Sequence, residues 1–306
     1  MVMTGFFMLS GFCNYSFNYK KDLSEFTNLK VFWIKRVAGI IPLYYFAGIV
    51  YIILKGKESL LQNIMLAPME LLGLQIIYPN TFYLTHNDGT WFISGILICY
   101  WIFPFVLELI KKISVKVKVI LIIVLMTILL YSPLVVAAFS LGTIYSNPFL
   151  RSFEFIIGMI LASFKDSILE SPIGKFISSY IAAILETVIL IAGVQVIWSL
   201  GIGRGNYMLY SWIGLPLFSL LLITFSSIKI KDNFIIQYLS TVSYSFFLVQ
   251  LFIWVIMQKI VNMVRIDNNI FRIISSFIVC FIIASLMYEL VEKPSKKFLY
   301  RKVLRL

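Results

Sequence analysis

Apolar stretches of about 20 residues recur from one end of this 306-residue chain to the other, and a bilayer core of ~30 Å calls for that length of helix. The hydrophobic share is 60% against 13% charged, and mean hydropathy is +0.94, a balance no soluble domain of this size tolerates. Within lipid every backbone N–H and C=O must be satisfied internally, which leaves helices or closed barrels. The long two-residue alternation of barrel strands is absent, so the fold class is all-α, a polytopic transmembrane helical bundle. Spanning segments are expected at 3–18, 34–54, 91–110, 119–139, 149–164, 177–199, 207–228, 241–262 and 270–290, about nine in all. Segment 60–77 is apolar but carries Gln62, Asn63, Pro68, Glu70 and Gln75, and is read as interfacial or re-entrant. No linker, soluble domain, internal repeat or low-complexity stretch separates these segments, and residues 1–306 read as a single membrane-embedded domain.

Charge asymmetry orients the bundle. With the N-terminus outside, the lysine and arginine groups at 20–36, 111–118, 165–175, 229–231 and 293–305 fall inside, 19 of the 26. Lys55, Lys57, Arg151, Arg204, Lys259, Arg265 and Arg272 remain outside, in keeping with the positive-inside rule. If 60–77 spanned, every inside charge from Lys111 onward would change sides. The net charge of +12 therefore reflects helix ends and anionic headgroups, and argues against nucleic acid as a partner. Cys13, Cys99 and Cys280 lie scattered in apolar runs and read as small core residues; no metal cluster or nucleophile elbow is present.

Intramembrane polar groups are functional candidates by default. Glu186 lies mid-segment in 177–199, with Gln195 further along it. Arg151 and Glu154, three apart, share a helix face and can pair, either as an interfacial salt bridge or as part of a site. Lys35 and Arg36 open segment 34–54, followed by Gly39, Pro42, Tyr44 and Tyr45; they suit phosphate groups or a plain positive-inside anchor. Trp91 opens its segment after His86-Asn87-Asp88-Gly89-Thr90 and reads as an interfacial belt residue or a site residue. His86 is the chain's one histidine, in a loop, and GIGRG at 201–205 lacks the strand–helix setting of a phosphate loop.

In order along the chain, six segments resemble one family. FFMLSGF (Phe6–Phe12) is similar to a family pattern FFvLSGF, and KRVAGIIPLYY (Lys35–Tyr45) to RRxxRIYPLYW. NDGTWFISGILICYWIFP (Asn87–Pro104) resembles a Trp-containing helix, and NPFLRSFEFIIGMILA (Asn147–Ala162) an R-x-x-E-F-x-x-G-M segment. SYSFFLVQ (Ser243–Gln250) is similar to SYxxYLxH, and YELVEKP (Tyr288–Pro294) to YxxxExP. Together they resemble the acyltransferase-3 family of integral-membrane O-acyltransferases, in its exopolysaccharide and capsule branch. The resemblance implies ten helices, acetyl-CoA or another acyl-CoA as donor, no metal, and as acceptor a hydroxyl of a polysaccharide or lipid-linked glycan. It implies a bacterial cytoplasmic (inner) membrane location with a cytoplasmic C-terminus. Lys35, Arg36 and Tyr44 become expected cofactor contacts, Trp91, Ser94 and Ser10 expected substrate contacts, and Arg151 and Glu154 catalytic candidates.

Three departures stand out. Gly39 occupies the place of the third basic residue of RRxxR, and Gln250 that of a frequent histidine. The family's first helix carries R-x10-H, whose histidine is the expected general base; here the apolar run Met1–Cys13 comes first and the first charge is Lys20. One further helix would restore an even count and bring both termini to one side, so the chain is expected to be N-terminally incomplete, with no general base of its own and low turnover. A positioned base contributes about 10²–10⁴-fold to such chemistry. Rival readings are a non-catalytic membrane scaffold, which would not bind CoA, and a glycan or lipid transporter, which would show repeats and broken helices in both halves.

Overall fold

A computed structural model describes residues 2–55, 60–77, 90–141, 144–200, 207–228, 233–264 and 268–304. Among them there is no strand. The helices are α1 (Val2–Asn18), α2 (Phe26–Lys55), α3 (Leu60–Leu72), α4 (Trp91–Lys112), α5 (Val115–Leu130), α6 (Ser132–Ala138), α7 (Pro148–Glu170), α8 (Pro172–Ile177), α9 (Tyr180–Ser199), α10 (Tyr207–Ser227), α11 (Phe234–Met263), α12 (Asn269–Met287) and α13 (Lys293–Leu299). A π-helical turn, Tyr288–Glu292, joins α12 to α13, and another, Tyr300–Leu304, follows α13.

Six of the described helical stretches are long and apolar enough to cross a membrane, and a seventh if α5 and α6 count as one broken span. The bend between those two is 75°, where Pro133 opens α6 and denies the preceding turn a backbone donor. The span expected at 119–139 is therefore divided between two helices that meet at this bend. The other two expected segments are α1, at 17 residues short for a crossing, and α7, which carries Arg151, Glu154, Lys165 and Asp166. Helix α3, with 13 residues, rises only about 20 Å, short of the ~30 Å bilayer core. It ends at Gly73, whose φ of 64° lets Leu74 N–H reach the Met69 carbonyl and close the helix.

The chain forms two compact units: Met1–Leu29, Ile76–Asn80 and Gly95–Ile230 make the first, and Lys30–Gln75, Thr81–Ser94 and Lys231–Leu306 the second. In unit 1, Met8 and Phe12 of α1 pack with Ile157 and Leu161 of α7, Leu125 and Leu129 of α5, and Leu215 and Ile223 of α10. Lipid supplies no hydrophobic drive between helices, so small residues that let backbones approach carry the association. Gly11 of α1 faces the Phe155 carbonyl and Gly158 of α7 faces the Met8 carbonyl, so closely that a β-carbon at either would collide with backbone. In unit 2, Tyr51 of α2 packs with Val249, Phe252, Ile253 and Met257 of α11 and Cys280 and Ala284 of α12.

Candidate functional site

The first polar cluster lies at the start of α7. Asn147 caps that helix, accepting from the N–H groups of Phe149 and Leu150 at 3.0 and 3.2 Å, while Pro148 sets its first turn. This cap fixes where Arg151 and Glu154 project. Arg151 Nη1 donates to both Glu154 oxygens at 2.7 and 2.8 Å, and both residues are 5% exposed, so the pair is buried in unit 1 and not a surface bridge. The guanidinium also donates to the Tyr145 carbonyl from Nε and Nη2, at 3.0 and 2.8 Å, and to Thr4 Oγ1 on α1 at 3.3 Å. The Phe7 ring lies 5.8 Å from its centre. The pair borders a cavity of about 30 Å³, the space of one water, also lined by Thr4, Ser132, Tyr210 and Ser211.

Further along α1, Ser10 Oγ lies 3.3 Å from Tyr100 Oη, and Asn14 donates to the Ser10 carbonyl at 2.7 Å. Three expected site residues, Ser10, Arg151 and Glu154, thus stand on the paired helices α1 and α7 of unit 1. The other five, Lys35, Arg36, Tyr44, Trp91 and Ser94, belong to unit 2.

Trp91 and Ser94 are buried, at 4% and 0% exposure, and Phe92 between them meets Phe247 of α11 edge-on at 4.3 Å. Burial removes the belt reading of Trp91. His86 and residues 87–89, like GIGRG at 201–205, lie outside the described residues. Tyr44 is 4% exposed. Its hydroxyl donates to the Glu70 carbonyl at 2.5 Å and accepts from the Gln75 amide, while Tyr45 donates to the Leu71 carbonyl at 2.5 Å. The two tyrosines hold the end of α3 against α2 beside an apolar cavity of about 290 Å³. Tyr44→Phe is expected to loosen that end at a cost of about 1–3 kcal/mol, because it removes the hydroxyl that bonds both the Gln75 amide and the Glu70 carbonyl. Hydrogen–deuterium exchange at residues 70–75 should rise while exchange in α7 stays unchanged.

Helix α2 begins at Phe26, eight residues before the expected segment, so Lys35 and Arg36 lie within the helix and not at its start. Lys35 is exposed, and Arg36 is half-buried with its guanidinium 5.4 Å from the Phe32 ring. Against this part of α2 lies a cluster that the sequence does not single out as a site. Glu292, 3% exposed, accepts from Ser245 Oγ of α11 at 2.7 Å and from Lys296 Nζ at 2.5 Å. The SYSFFLVQ and YELVEKP segments therefore meet through one hydrogen bond, and the spacing of Glu292 and Lys296, four apart, was the available signal. The neighbouring Tyr244 hydroxyl donates to the Ile40 carbonyl of α2 at 2.9 Å. In unit 1, Glu186 is 8% exposed and accepts from Thr224 of α10 at 3.0 Å, whereas Gln195 faces outward. Among the described residues no group of His, Cys, Asp and Glu could hold a metal.

Six or seven helices long and apolar enough to cross a membrane define a multi-pass membrane protein. The chain belongs to the acyltransferase-3 family, described as an acyltransferase domain, which matches residues 1–289. No match was found to a curated protein or to a solved structure.

Proposed function

We propose that the protein transfers an acyl group, acetyl foremost, from acyl-CoA to a hydroxyl of a cell-surface polysaccharide or its lipid-linked precursor, in a bacterial cytoplasmic membrane with the C-terminus on the cytoplasmic side. The observation that carries this reading is the family match across nearly the whole chain. Two features of the molecule support it. The cations Lys35 and Arg36 lie side by side within α2, Lys35 exposed, and their charge suits a phosphate-bearing donor. The motif residues Arg151 and Glu154 form a buried, hydrogen-bonded pair that ties α7 to α1, an arrangement suited to a rigid reaction site.

The reaction itself is simple in its balance: the acceptor oxygen bonds to the acyl carbon, the thioester C–S bond breaks, and the hydroxyl proton leaves as CoA departs as a thiol. Membranes containing the protein, given acetyl-CoA labelled in the acetyl group and the host's own glycan, should yield label on glycan that mild alkali releases, as an O-ester does. Label found only in free acetate, or none on glycan at any donor concentration, would sink the acceptor assignment.

A further inference from the structure

Gly39 leaves a bare position on the face of α2 that carries Lys35, four residues earlier. Another helix covers it. Cε of Lys296 lies 3.6 Å from where a β-carbon on Gly39 would stand. The ammonium is held by Glu292, itself held by Ser245, so the lysine cannot swing freely. The carboxylate side chain is only 3% exposed while that of the lysine is 33% exposed, which turns the cation toward the surface. An ammonium has three donors, and Glu292 Oε1 takes one of them.

The basic surface continues. Pro294, Lys297, Phe298, Arg301 and Lys302 line an open cleft of about 570 Å³. Lys302 lies over the Phe298 ring at 5.4 Å. Pro294 and Phe298 also line a second, adjoining cavity together with Pro42 of α2, the helix that bears Lys35 and Arg36. Among the described residues no ion pair neutralises Lys297, Arg301 or Lys302, whereas Lys293 is paired with Glu289 and Lys296 with Glu292.

We propose that Lys296, seated over Gly39, joins Lys35 and Arg36 in one phosphate-binding site that extends through Lys297, Arg301 and Lys302, for a ligand bearing more than one phosphate. Position 39 of α2 has no side chain of its own, and the cation beside it comes from a helix more than 250 residues further along the chain. Unpaired cations in a cleft of this size match a pyrophosphate with a further phosphate nearby, as in CoA, and an anionic lipid headgroup offers the same chemistry. Only the identification of the ligand as CoA rests on the function proposed above.

The test uses the full chain in nanodiscs of zwitterionic lipid, with calorimetric titration of CoA, 3′-dephospho-CoA and inorganic pyrophosphate. Lys296→Gln is expected to weaken CoA and pyrophosphate binding by about tenfold or more, the loss of one charge-assisted contact, while Lys296→Arg keeps it. Gly39→Arg placed in the Lys296→Gln background should restore binding to within about threefold, since the new guanidinium grows from the position Lys296 covers. Lys293→Gln, removed from its pair with Glu289, should bind as the parent does. Should Lys296→Gln fail to give a monodisperse protein, the exposed triple variant Lys297→Gln, Arg301→Gln, Lys302→Gln carries the same expected loss. Parental affinity in either folded variant would overturn the site. Pyrophosphate binding that falls in both variants, in a protein that transfers no acetyl group, would leave the site standing and remove the donor reading. Binding confined to nanodiscs containing phosphatidylglycerol, with none of CoA or pyrophosphate, would overturn the soluble ligand and give the cations to lipid.

Discussion

Gly158→Leu is expected to eliminate folded protein. Helices α1 and α7 approach at two reciprocal points, Gly11 against the Phe155 carbonyl and Gly158 against the Met8 carbonyl. An added side chain at either point meets backbone, which cannot rotate aside as a side chain does. The helices must separate, and separation opens the packing of Met8 and Phe12 against Ile157 and Leu161 and pulls Thr4 from Arg151. Overpacking where side chains can yield costs about 1–3 kcal/mol, and a backbone obstacle places these sites at or above the top of that range. Gly158→Ala and Gly11→Ala should therefore lower the thermal midpoint in detergent markedly, and the leucine variants should lose the monodisperse peak on size exclusion. Gly48 of α2 is the control: a β-carbon there meets nothing within 4 Å, so Gly48→Ala should leave the midpoint unchanged or slightly raised. A Gly158→Leu protein with the parental peak and midpoint would refute the close crossing of α1 and α7.

The same two glycines show what a sequence conveys and what it withholds. FFMLSGF and FEFIIGM read as apolar helices with a small residue each, and both are helices. That each glycine is the other helix's docking point depends on a contact about 150 residues apart, which no local periodicity encodes. The all-α class was legible because apolar length sets it, and α3 was legible as non-spanning because its polar residues and charge side-effects oppose a crossing. The bend before Pro133 was carried by the proline but hidden by an unbroken apolar run from 119 to 139. At the sites, Arg151 and Glu154 were legible as a pair from their spacing, whereas the Tyr145 carbonyl and Thr4 that complete the cluster carry no pattern. Lys296 read as one cation among several at a helix end. Its special position exists only because Gly39, far away in sequence, leaves room for it.

Arg151 carries the second large effect. Its guanidinium bonds the Tyr145 carbonyl, Thr4 of α1 and Glu154, so Arg151→Met removes these bonds together and strands a carboxylate in the interior of unit 1. Breaking one partner of a buried pair costs about 3–5 kcal/mol, and this substitution is expected in that range by thermal or denaturant unfolding in detergent. Glu154→Gln keeps the side chain's volume and one acceptor oxygen, and leaves Arg151 its bonds to Tyr145 and Thr4, so its cost should be the smaller of the two. The double variant Arg151→Met, Glu154→Leu replaces the pair by apolar groups and should be less destabilised than the two single effects added together. Function separates two roles for the carboxylate. Glu154 spends both oxygens on one guanidinium nitrogen, the geometry of a positioning residue that holds Arg151 in place. On that reading Glu154→Gln retains acyl transfer within about tenfold per folded molecule, any larger fall in crude membranes reflecting lost protein. A loss of about a hundredfold or more per folded molecule, with the unfolding midpoint preserved, would instead make Glu154 the group that accepts the acceptor hydroxyl's proton.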